Sequence, residues 1–130
     1  MVKTFTIEGS NIHDIPSFYK EINRLFMDKE DWKLADSLDA LEDMFYGAFG
    51  RIKGNEEINL IWNNFEKNKR DLGFDTTIAW YKNKLKLPSV FNRQFITDKI
   101  NDLTNGTGQT YFDIILEIIG QHKNINLFRK

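Results

Sequence analysis

From residue 30 to residue 43 the chain carries Glu30, Asp31, Asp36, Asp39, Glu42 and Asp43, against a single amine, Lys33. Asp39 and Asp43 are four residues apart, so a helix through them stacks both carboxylates on one face, with Glu42 beside them. Leu38, Leu41 and Phe45 would then point the other way, into a core. Carboxylates on a rigid support form charge-assisted, often bidentate, hydrogen bonds with Arg and Lys. An acidic segment in a near-neutral protein is also a local field that steers a basic partner. Taken alone, the pair equally suits a solvated helix start, where acids meet the positive end of the macrodipole.

Other residues with chemical potential are sparser. His13 and His122 are the only histidines and lie far apart in sequence, which suits surface or structural roles better than catalysis or metal binding. Gly106-Thr107-Gly108 lacks the Gly-Lys-Ser/Thr ending of a phosphate loop and reads as a turn. Lysines gather at Lys67, Lys69 with Arg70, and at Lys82, Lys84 and Lys86. Trp80, Tyr81, Phe91 and Phe95 lie near the second group, where base stacking competes with a plainer reading, a satellite apolar cluster with lysines on its wet side. The chain has no Cys, which removes disulfides, thiolate metal sites and a cysteine nucleophile and fits a reducing compartment. The formal net charge of -1 advertises no affinity for nucleic acid as a whole. The opening residues lack the apolar stretch of a signal peptide, and the run Ile114-Ile115-Leu116 stops at Glu117, too short to span a membrane. The expected location is the cytoplasm.

The elements that must position these residues follow from periodicity. With 130 residues, 41% of them hydrophobic, the chain suits one globular domain. Residues 3–7 alternate as a strand ending at Gly9. Pro16, with Asp14 ahead of it, opens a helix whose inner face is Phe18, Ile22, Leu25 and Phe26. Residues 27–35 form a polar loop around Trp32. A second helix starts at Asp36 or Ser37, with Leu38, Leu41, Met44, Phe45 and Ala48 as its apolar stripe, and stops around residues 47–50. Residues 51–57 turn, 59–62 form a buried strand, and 65–72 a helix ending at Gly73. Residues 76–85 are helical, and Pro88 breaks that helix. Residues 91–103 hold another, with Phe91, Phe95, Ile96 and Ile100 inward. After a turn at 105–108, a last helix spans 110–121, and 124–128 is a final strand. Strands separated by helices pair in parallel, so the expected fold is a small α/β domain with a three-stranded parallel sheet and four or more helices.

Four blocks of sequence, in order, resemble the barstar family, intracellular inhibitors of a secreted bacterial ribonuclease. Ile7-Glu8-Gly9-Ser10-Asn11-Ile12-His13-Asp14-Ile15-Pro16-Ser17-Phe18 is similar to the family's first strand, turn and helix start. Ser37-Leu38-Asp39-Ala40-Leu41-Glu42-Asp43 resembles its signature at the head of the second helix. Asn59 through Glu66 resembles the second strand entering the third helix, and residues 105–127 the last turn, helix and strand. The resemblance covers residues 3–73 and 105–128 and leaves 74–104 as an inserted helical segment within a single domain.

The resemblance implies a protein that binds and does not catalyse. Asp39 and Asp43 would be the carboxylates that enter the ribonuclease active site, Glu117 an acidic contact on the last helix, and Gly47 an interface glycine after the second helix. Glu42 stands where short members have Trp, and Ala48 replaces another interface aromatic. Trp32 has two readings, an aromatic anchor at the loop edge or a cap folded back on the core. The implied partner is a basic ribonuclease or related toxin protein, met without cofactor, metal, nucleic acid or membrane, by a chain that is monomeric when free. Two alternatives stay open: an immunity protein against a toxin that is not a ribonuclease, and a hydrolase gathering Asp39, Asp43 and Glu117 around a divalent metal.

Overall fold

In the computed structural model, which describes residues 2–87 and 92–130, three parallel strands form the central sheet. They are β1 (Lys3–Glu8), β2 (Ile58–Asn63) and β3 (Ile125–Arg129), in that spatial order. The register pairs Phe5 with Leu60 and Leu60 with Leu127, so the alternating apolar residues of all three strands fall on one face. Phe5, Ile7, Ile58, Leu60, Trp62 and Ile125 are buried there, while Thr4, Asn59 and Asn126 occupy the wetter opposite face. The domain is thus of the expected small α/β class.

Helices α1 (Ile15–Phe26), α2 (Leu38–Phe45), α3 (Phe65–Asp71), α4 (Phe74–Leu85), α5 (Arg93–Thr104) and α6 (Tyr111–Gly120) complete the described chain. Their starts have visible causes. Asp14 and Ser17 cap α1 reciprocally, with Pro16 in the first turn, and Thr110 and Asp113 do the same for α6. The hydroxyl of Ser37 accepts from the Ala40 N–H at 3.3 Å and fixes where α2 begins. Phe18, Ile22 and Phe26 of α1, Leu41, Met44 and Phe45 of α2 and Phe112, Ile115 and Ile119 of α6 meet the sheet in one core around Trp62. At its centre the Tyr19 and Tyr111 hydroxyls bond to each other at 2.5 Å. Burial raises the pKa of both phenols, that of Tyr111 to about 12.

Segment 74–104 builds a smaller cluster of its own from Tyr81, Ile96 and Leu103, and Trp80 ties it to the main core by packing edge-on against Tyr111 at 4.8 Å. Two residues expected to face inward do not. Phe95 is 56% exposed, because the buried stripe of α5 runs Ile96, Ile100, Leu103, and position 95 lies a full helical step off it. Ala48 is exposed because α2 ends at Phe45, so the residue lies beyond the helical stripe. Helix α4 begins two residues earlier than the sequence pattern indicates, at Phe74. Pro88 and Phe91 lie outside the described residues.

Candidate functional site

The acidic face is built on α2. Its inner side is anchored by Leu41, Met44 and Phe45, all essentially without solvent contact, and the Phe45 ring meets Phe26 edge-on at 5.9 Å. Its outer side presents Asp39 and Asp43, both exposed, and the half-buried Glu42. None of the three makes a hydrogen bond or ion pair among the described residues. Elsewhere acids are engaged: Asp28 with Arg51 at 2.5 Å, Asp71 with Lys67 at 2.6 Å and Glu56 with Lys3 at 3.1 Å. The α2 carboxylates are thus positioned by the helix backbone and core packing, with no side-chain hydrogen bond or ion pair of their own among the described residues.

The neighbouring candidates fall into place around this helix. Gly47 follows it at φ +84°, and a Cβ there would lie 2.2 Å from the Gly54 backbone nitrogen. The position thus demands glycine both for its left-handed backbone and for the close chain approach. Trp32 packs edge-on against Phe49 at 4.7 Å and stays 44% exposed. Glu117 is exposed on α6, which packs beside α2, and accepts a hydrogen bond from the Gln109 side chain. Its carboxylate opens onto a cleft against α5, shared with Tyr81, Lys99 and Asp102, and not onto a cavity common to the α2 acids.

Three further residues belong to this region. Tyr46 is 56% exposed and lies over the His122 ring, centroid to centroid 4.4 Å. It follows Glu42 by four residues and Asp43 by three, a helical spacing that could have singled it out, although it is not among the candidates read from the sequence. His122 is buried, and among the described residues its Nε2 has no hydrogen-bond partner. Burial lowers its pKa, against the opposing pull of the Glu42 charge. Lys84, on α4, lies over the Trp80 ring at 3.8 Å; burial lowers its pKa, and the Asp39 charge acts against that. Segment 74–104 therefore stands beside the N-terminal end of the acidic face.

The remaining candidates stay separate. His13 is exposed, 3.8 Å from the Asp14 carboxylate. At the Gly106–Gly108 turn, the Thr107 and Gly108 N–H groups both donate to the Asp102 carbonyl, as a helix end requires. Among the described residues no three His, Asp or Glu side chains gather as a metal would need. Asp39, Glu42 and Asp43 line none of four cavities found among the described residues. Among the described residues no helix is long and apolar enough to cross a membrane. Compared with family models, curated proteins and solved structures, the chain has no significant match.

Proposed function

We propose that this chain is an inhibitor protein of the barstar type, which blocks a basic ribonuclease by inserting the carboxylates of α2 into its active site. The observation that carries the reading is the set of unpaired carboxylates Asp39, Glu42 and Asp43 on the outer face of a helix whose inner face is locked in the core. A ribonuclease site must attract phosphate and is therefore lined with cations. Carboxylates placed at phosphate-like positions satisfy those cations and exclude RNA without any chemical step. The same opposed fields accelerate encounter and reject partners of the wrong sign. Tyr46, which directly follows α2, and Trp32, on the loop before it, add half-open aromatic surface, the residue types that anchor protein interfaces. The four blocks of resemblance point to the same activity, to a cytoplasmic setting and to a partner that is a protein.

The decisive experiment measures hydrolysis of RNA by the secreted ribonuclease that barstar inhibits, with increasing amounts of this chain, beside a capture from the host's lysate and secretome. Stoichiometric inhibition, or capture of a basic ribonuclease whose activity is lost in the complex, is expected from the native chain and not from Asp39→Ala/Asp43→Ala. Capture of a basic protein without ribonuclease activity would move the assignment to immunity against another toxin. Equal capture by both chains would displace the site from α2.

A further inference from the structure

A cavity of about 810 Å³ lies away from the α2 carboxylates, between the polar face of α1 and the loop of residues 27–37. Its volume is that of a small-molecule pocket. Both walls are fixed. Asn23 clamps the loop to the helix, its side-chain oxygen accepting from the Leu34 N–H at 2.7 Å and its Nδ2 donating to the Leu34 carbonyl at 3.2 Å. Leu34 itself is buried.

The charges of this cavity are arranged, not scattered. Glu21 is buried and accepts four hydrogen bonds: from Arg24 Nε at 2.8 Å and Nη2 at 2.6 Å, from the Glu8 N–H at 2.8 Å and from Asn11 Nδ2 at 3.1 Å. That uses the acceptor capacity of its carboxylate. It also holds the Arg24 guanidinium in one orientation, with Nη1 uncommitted among the described residues. Lys20, one turn before Arg24, stands on the same face of α1, and Lys33 reaches the cavity from the loop. Neither lysine has an ion-pair partner among the described residues. Glu21 offsets Arg24, which leaves Lys20 and Lys33 against Asp36 on the cavity lining, with the Glu8 and Asp14 charges nearby. The carboxyl of Asp36 is raised in pKa by burial and by the nearby Asp14 charge. Pro16 and Leu34 add apolar wall beside the cations.

We infer that this cavity is a binding site for a small organic phosphate, whose phosphoryl oxygens are taken by Lys20, Arg24 and Lys33 while its less polar body lies toward Pro16 and Leu34. An oriented guanidinium flanked by two ammonium groups suits the several acceptor oxygens of a phosphate better than the two of a carboxylate. The site is independent of the inhibitor reading, since it shares no residue with the α2 face. Its rim nevertheless ends at Asp36, next to the Ser37 cap of α2.

The test is an amide NMR titration of the full chain with adenosine monophosphate, and with adenosine as the phosphate-free control. Saturable shifts at and around Lys20, Arg24 and Lys33 are expected with the nucleotide and not with the nucleoside. Lys20→Ala/Lys33→Ala removes two exposed side chains and should weaken binding by about tenfold or more, while Asp36→Asn should tighten it by about threefold. Asp39→Asn should leave it unchanged, which separates this site from the α2 face. Absence of saturable shifts at millimolar nucleotide would overturn the inference. So would equal shifts with adenosine, undiminished binding by the double variant, or shifts centred on Lys82, Lys84 and Lys86.

Discussion

Glu21 on α1 and the Asp39–Asp43 pair on α2 are helix carboxylates that meet opposite surroundings. Glu21 sits in the protein interior with four donors on its two oxygens. Burial alone would raise its pKa, but the bonds from Arg24, the Glu8 N–H and Asn11 outweigh that and hold it below the usual glutamate value. Asp39 and Asp43 are exposed and have no side-chain donor among the described residues, although the chain supplies arginine or lysine partners to Asp28, Glu56 and Asp71. The difference separates two uses of one functional group. A satisfied internal carboxylate contributes to the fold and has nothing left to offer a partner. A bare one on a rigid helix contributes little to the fold and keeps its full hydrogen-bonding capacity.

The comparison is broken most directly by exchanging readouts. Asp39→Ala and Asp43→Ala should each weaken binding to the captured partner by about 2–5 kcal/mol, the cost of stranding a cation in a closed interface, as calorimetric titration would show. Glu21→Ala should instead lower folding stability by about 2–4 kcal/mol in urea titrations, because it strands Arg24, an N–H group and an amide at once. The sign with pH follows. Since the folded pKa of Glu21 is lowered from 4.5, its stabilisation is complete above that value and is lost as pH falls through the folded pKa. Glu21→Gln should flatten this acid limb. If Glu21→Ala left stability untouched and Asp39→Ala unfolded the chain, the division of labour would be the reverse of the one argued here.

The Tyr19–Tyr111 pair sharpens the satisfied side of the comparison. Either single Tyr→Phe change leaves one hydroxyl stranded in the core and should cost about 1–2 kcal/mol, whereas the double change should cost less than the two added together. His122 is a third case, buried like Glu21 but with Nε2 unpartnered among the described residues. Because its pKa is lowered on folding, the unfolded chain binds the proton more readily, so stability should be constant above about pH 6.5 and decline as pH falls below it toward the folded pKa. His122→Phe retains ring packing against Phe45 and Tyr46 and should remove this decline, as unfolding midpoints compared between about pH 7 and about pH 5 would show.

Much of the arrangement was legible because period and punctuation agree. Alternation in β1, the apolar run of β2, Asp14 with Pro16 ahead of α1 and the 38, 41, 45 stripe placed these elements and turned Asp39 and Asp43 outward before any coordinate was needed. Phe95 misled because an aromatic side chain near an apolar stripe is indistinguishable from one within it until a second helix selects the face. Glu21 carried no signal of its fate. It sits between the inward Tyr19 and Ile22 of α1, and although Arg24 three residues on is a local partner, the Glu8 N–H and Asn11 that complete its set of donors come from outside the helix. The burial of His122 and the approach of Lys84 to Asp39 are equally products of helix packing, which no local window encodes.

The smallest effect is the one whose sign says most about why the α2 acids are there. Asp39 lies in the first turn of α2, where a negative charge meets the positive end of the helix dipole, so Asp39→Asn should cost a few tenths of a kcal/mol of stability. Asp43 lies in the last turn, where the same dipole opposes it, and no lysine or arginine on the described surface pairs with it. Asp43→Asn should therefore leave stability unchanged or raise it by about 0.3–0.5 kcal/mol, read from unfolding curves at low salt, with the gain shrinking as salt is added. An acid that helps its own helix needs no other reason to be present. An acid set against its helix dipole, with no ion-pair partner among the described residues, draws no support from its own helix and fits the proposed inhibitor reading. A variant that is more stable and at the same time binds the partner more weakly would display that trade directly. A measurable loss of stability on Asp43→Asn would instead assign this carboxylate a structural role and narrow the docking face to Asp39 and its neighbours.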